Sequence, residues 1–208
     1  MEILVIPFFL VLSLTGIART SPAVPAFIGP APQIGQVLVI GTIDRAFSAR
    51  LETALDSSES LRTVQIESGG GLESQAYQAT RLLNSRGITV SVIGRCASAC
   101  ALLWAGAEKR ELRRGGLIGL HASRPAHQLP GVLQAYARER RVQLATGALR
   151  HAGFPEQLIT RGLSVPHESV LWLGVDELRA AGVQFVPTER KSPVNSSKPK
   201  SPRRSTQS

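Results

Sequence analysis

Cysteine is scarce in this 208-residue chain, with only Cys96 and Cys100. A structural zinc needs four ligands, and no histidine lies near this pair in sequence, so no metal centre is expected. Two packed thiols and a short disulfide both fit a spacing of four, and the spacing alone does not choose between them. Long apolar runs are also lacking. The longest, from Ile3 to Ile17, is short for a membrane span and suits the core of an export signal. Gly16 and Ala18 provide small residues ahead of a cut after residue 18. Met1-Glu2 brings no positive charge, so an uncleaved anchor is the other reading. The expected location is periplasmic or secreted, an oxidising compartment where a disulfide persists.

Acidic residues are few, 15 against 24 basic ones, giving a net charge of +9. The excess is unevenly placed. Residues 188–208 hold Arg190, Lys191, Lys198, Lys200, Arg203 and Arg204 against the single Glu189, a net +5 of that +9. The basic character is therefore largely a tail property. It argues against a specific nucleic-acid-binding body and leaves room for weak contact with an anionic surface. No internal repeat is present.

What is there reads as one domain with extended ends. Residues 1–18 form the signal peptide or anchor and 19–35 a proline-rich linker. Residues 36–187 form an α/β domain, and 188–208 form a basic tail too polar to bury a core. Within the domain, strands are expected at 36–43, 61–68, 88–94 and 116–122 from their β-branched runs. Helices are expected between them, at 47–58, 72–86 and 96–106. The last is apolar on every side, as a buried helix should be. Residues 129–163 read as a mainly helical, more polar insertion. A short strand, a helix and a closing strand complete the domain over 171–186. Such alternation favours a mainly parallel sheet with right-handed crossovers.

Three features carry chemistry. Ser98 follows a strand and opens a helix, which projects its side chain at the carboxyl edge of the sheet, where open α/β sheets place their sites. The Ala99 N–H then lies at a helix N-terminus with unsatisfied donors and a favourable dipole. Gly69-Gly70-Gly71 also lies between a strand and a helix, and glycine lets backbone approach a ligand. It lacks both the Lys-Ser/Thr ending of a phosphate loop and the spacing of a dinucleotide fingerprint, so no nucleotide cofactor is expected. His121 closes the fourth strand. A glycine-rich turn is more often a plain connection, and a lone histidine more often a packed core residue. Their order along the chain makes them a candidate constellation for acyl transfer.

That order resembles the Clp protease proteolytic subunit and the wider crotonase-like superfamily, over residues 36–186. The family's Ser-Pro-Gly-Gly turn is matched by Ser68, Gly69, Gly70 and Gly71, with Gly69 in the place of proline. Its nucleophile turn is matched by Cys96-Ala97-Ser98-Ala99. Its histidine is matched by His121 at the end of "KRELRRGGLIGLH". The resemblance implies repeated β-α units, a mainly parallel sheet and a helical insertion. It also implies a Ser98–His121 pair, oxyanion donors from Gly70, Gly71 and Ala99, a peptide or protein substrate, no cofactor, and self-association into an oligomer. An exported branch of the family fits the leader and the two cysteines. The family's third residue, an aspartate, would fall near Ser169–Val170, where there is no acid. Glu168 is the nearest carboxylate and the expected orienting residue, with Asp176 and His167 behind it. A non-catalytic Clp-like envelope module is the alternative. An acyl-CoA enzyme ranks lower, because it would not need a Ser-His pair and export would separate it from coenzyme A. Export would likewise deprive a Clp-like subunit of an ATP-driven partner.

Overall fold

A computed structural model describes residues 24–124 and 130–189. The expected leader and nearly all of the basic tail lie outside the described residues. Eight strands form one mixed sheet, mostly parallel, in the order β1-β2-β3-β4-β5-β8, with β6 and β7 branching from β4. The strands are β1 (Phe27–Ala31), β2 (Gln36–Ile40), β3 (Thr63–Ser68), β4 (Thr89–Ala97), β5 (Arg110–Arg113), β6 (Leu117–Leu120), β7 (Leu171–Leu173) and β8 (Val186–Thr188). The helices are α1 (Phe47–Asp56), α2 (Glu73–Ser85), α3 (Ala99–Gly106), α4 (Gly131–His151), α5 (Glu156–Ser164) and α6 (Val175–Ala180). No helix among the described residues is long and apolar enough to cross a membrane.

Two expectations are corrected. The stretch read as linker contains β1, which pairs antiparallel with β2 and brings the ordered fold forward of residue 36. Its Pro30 is tolerated because β1 is an edge strand. The stretch between the expected helix ending at 106 and the expected strand starting at 116, for which no element is expected, contains β5, which pairs parallel with β4 on one side and β8 on the other. The described part of the 129–163 insertion is mainly helical as expected, split into α4 and α5.

The core explains why these segments hold together. Val37, Val39, Val64, Ile66, Val90 and Val92 alternate into the buried face of β2, β3 and β4. Helix α3 has only eight residues, too short to persist by itself, and seven of them are buried. Trp104 is fully buried there, and its indole N–H donates to the Glu111 carbonyl at 2.9 Å. Small residues on α2 (Ala76, Ala79, Thr80) let α3 approach closely: the Thr80 hydroxyl donates to the Ala76 carbonyl at 2.9 Å and lies 3.4 Å from the Leu103 carbonyl.

Strand β4 does most to place the site. Its first half pairs with β5, through Val90–Arg110 and Val92–Leu112. Its second half pairs with β6, through Arg95–Leu117 and Ala97–Gly119. Between these halves the register against β3 slips, from Ile66–Val92 to Ser68–Cys96. Such a bulge bends a strand and re-aims the residues beyond it. Gly94 lies inside it, where a side chain would strike the Glu67 carboxylate.

Candidate active site

The carboxyl ends of β3, β4 and β6 lie side by side, because β3 pairs with β4 and β4 with β6, all parallel. The Gly69-Gly70-Gly71 turn leaves β3, Ser98 leaves β4 and His121 leaves β6. The three elements singled out in the sequence therefore meet at one sheet edge.

Ser98 joins β4 directly to α3 with φ 57° and ψ −127°. It is the one non-glycine residue with positive φ among those described. These angles mirror the first central position of a type II turn, at about −60°, +120°. A sharp strand-to-helix turn with a strained serine is the geometry that exposes a nucleophile at the top of a sheet. The Ser98 N–H donates to the Gly119 carbonyl at 3.0 Å, and its carbonyl accepts from the Leu102 N–H at 3.1 Å. The backbone is thus held at both ends, while the half-buried hydroxyl has no partner among the described residues. Cys96 and Cys100, both fully buried, are joined by a disulfide across this elbow.

The glycine turn packs against the elbow. At Gly70 (φ +102°), a Cβ would come within 2.7 Å of the Ala97 carbonyl and of Ser98 Cβ. The Gly70 N–H donates to Ser68 Oγ at 3.0 Å, so this candidate oxyanion donor is already engaged. The N–H groups of Gly71 and Ala99 have no acceptor among the described residues.

His121 Nδ1 lies 2.9 Å from the Ala122 carbonyl. A carbonyl only accepts, so Nδ1 carries the proton and Nε2 is left as the basic nitrogen. The ring meets His167 edge to face, with centroids 4.8 Å apart. The Ala122 N–H donates to the Val165 carbonyl at 2.8 Å, which ties the segment after β6 to the turn that carries His167.

Glu168, expected to orient His121, does not do so here. Its side chain is exposed and makes no hydrogen bond to His121 among the described residues. The turn presents His167 to the histidine and Glu168 to solvent. Asp176 lies in the first turn of α6 and lines a different cavity of about 580 Å³ with Arg114 and Arg179. That larger cavity is remote from Ser98.

Beside Ser98 is a cavity of about 300 Å³ that Glu73, Tyr77, Ser123, Arg141 and His167 also line. Of these, only His167 was singled out from the sequence. Glu73 and Tyr77 are four residues apart on α2, so they share the helix face next to the glycine turn. Ser123 Oγ donates to Glu73 Oε1. Glu73 Oε2, the Tyr77 hydroxyl and His167 Nδ1 are buried without a partner among the described residues. Burial first, and then the Glu73 charge, hold the Tyr77 phenol protonated well above the usual tyrosine range. Among the described residues, no cluster of histidine, cysteine or carboxylate side chains could hold a metal ion. In comparisons with known families and with curated proteins, no family model and no curated protein matches this chain.

Proposed function

We propose that this protein is an exported serine hydrolase of the Clp-like, crotonase-like type, acting on peptide bonds. The observation that carries the reading is the strained Ser98 elbow, set between two backbone N–H groups that are unpaired among the described residues. Strain of this kind costs stability and persists at functional sites.

In this mechanism, Ser98 Oγ attacks the substrate carbonyl carbon and His121 Nε2 takes the hydroxyl proton. The oxyanion is held by the Gly71 and Ala99 N–H groups, assisted by the N-terminus of α3. As the tetrahedral species collapses, the carbon–nitrogen bond breaks and His121 gives its proton to the leaving amine. Water, deprotonated by His121, then releases the acyl group and restores Ser98. The Ala122 carbonyl and the His167 ring orient His121, the role expected of Glu168. No cofactor is required. The disulfide supports an oxidising location, and the α4–α5 insertion corresponds to the region through which Clp subunits associate.

A non-catalytic module is the second reading, and the exposed Glu168 favours it. Protein from residue 19 onward, treated with a fluorophosphonate probe and mapped by mass spectrometry, separates the two. Adduct on Ser98 is expected, and none on Ser98→Ala. Glu168→Gln is expected to label at nearly the wild-type rate. Absence of any adduct on wild-type protein would sink the hydrolase reading.

A further inference from the structure

We infer that the cavity beside Ser98 is a subsite for a basic side chain, with the Glu73 carboxylate and the Tyr77 hydroxyl as its receptors. The inference rests on the hydrolase reading, and it names the substrate class: peptides with lysine or arginine supplying the carbonyl that Ser98 attacks.

The cavity and the nucleophile are contiguous, since Ser98 itself lines it. Its volume of about 300 Å³ is at the small end for ligand pockets, suited to one side chain rather than a large ligand. Three of its lining groups are left unsatisfied among the described residues: Glu73 Oε2, the Tyr77 hydroxyl and His167 Nδ1, all buried. Glu73 is held in place from its other oxygen by Ser123. A carboxylate can only accept, and a phenol can accept as well as donate. An ammonium or guanidinium brings several N–H donors and a positive charge, so it satisfies both at once. An apolar side chain would leave both unpaired in a dry site. An acidic one would meet the only carboxylate among the described lining residues.

Arg124 and Arg141 line the same cavity and oppose a cation. Arg124 is exposed, so water and salt screen it. Arg141 turns its Nε back to the Ala137 carbonyl at 3.1 Å. The Glu73 carboxylate, with Oε2 out of water, therefore governs the interior. The two arginines make an acidic side chain the rival occupant.

The test uses thioesters of blocked lysine, arginine, leucine and glutamate, with turnover measured by thiol release. Lysine and arginine substrates are expected to exceed leucine by roughly tenfold in kcat/KM, with glutamate slowest. Glu73→Gln is expected to bring the lysine-to-leucine ratio close to one, chiefly through KM. Tyr77→Phe is expected to lower it less. Lysinamide binding to Ser98→Ala, monitored by NMR, reads the subsite without turnover and is expected to disappear in the double variant with Glu73→Gln. A preference for glutamate or leucine overturns the inference, as does a lysine preference indifferent to Glu73→Gln. If Ser98 takes no fluorophosphonate, the hydrolase reading fails, and lysinamide binding alone then decides whether a cation subsite exists.

Discussion

Ser98 has a backbone conformation that suits glycine, yet a side chain is present. Holding a non-glycine residue at φ 57° costs on the order of 1–3 kcal/mol. Glycine removes that strain and gives back part of the gain through its freer unfolded chain. Ser98→Gly should therefore abolish probe labelling while raising stability by about 1 kcal/mol, a melting shift of about 2–4 °C for a domain of this size. Ser98→Ala should abolish labelling without the gain, because its Cβ keeps the strain. Calorimetry on the two variants checks this. A Ser98→Gly protein that melts lower than wild type would show that the serine is there for packing. At this scale, chain order foretold which candidate residues the fold gathers: Ser98, Gly71, Ala99 and His121 leave adjacent strands at one sheet edge. Glu73 and Tyr77 were not legible, because their meaning depends on a cavity that α2 shares with Ser123 and the His167 turn, far away in sequence. Glu168 stood ahead of His167 because a carboxylate is the usual partner of a catalytic histidine. Which of two adjacent residues points inward is set by one turn.

Elements decide how firmly that geometry is held. The bulge in β4 swings its end from β5 toward β6, and the disulfide then closes the turn from Cys96 to the second residue of α3. The hydrophobic periodicity made most of these elements legible, including α3, whose apolar circumference marks a buried helix. It did not reveal the bulge, which depends on pairing with β3. It did not reveal β5 either. The inward positions of "RELR" are Arg110 and Leu112, so a charged residue occupies a core position and breaks the apolar pattern. Burial pulls the Arg110 guanidinium below the usual arginine range, and its Nη1 donates to the Ala105 carbonyl at 3.2 Å. Edge strand β1 was hidden by its proline. For the elbow, opening a loop of this length in the unfolded chain removes about 2 kcal/mol on the chain-entropy model. Reduction of Cys96–Cys100 should then lower the melting temperature by about 4–8 °C and slow the labelling of Ser98. Thiol titration beside calorimetry and probe kinetics reads both effects. Full reduction with unchanged melting and labelling would show that the bridge does not brace the elbow.

At the scale of the molecule, the parallel strands send their carboxyl ends, and with them the site, to one edge. The insertion between β6 and β7 carries α4 and α5 beside it. Helix α4 runs from Gly131 to His151, yet buries only Ala145 and Leu149. Its first half leaves Val132 86% exposed, Tyr136 68% and Leu133 56%. Apolar side chains this exposed on neighbouring turns of one helix fit the proposal that this protein self-associates. The region is the one through which the resemblance implies self-association, so the expected occupant is the same segment of a second copy. The expected result is a mass above that of the monomer, rising with concentration, in light scattering after size exclusion. Replacing Val132 and Tyr136 with glutamate should shift the population to monomer and leave the melting temperature within a few degrees, because neither side chain contributes to the monomer core. A wild-type protein that remains monomeric at high concentration would remove self-association from the proposal. Ser98 labelling should stand unchanged in the glutamate variant, since Arg141 and Leu144 are the α4 residues that line the cavity beside Ser98 and neither is replaced.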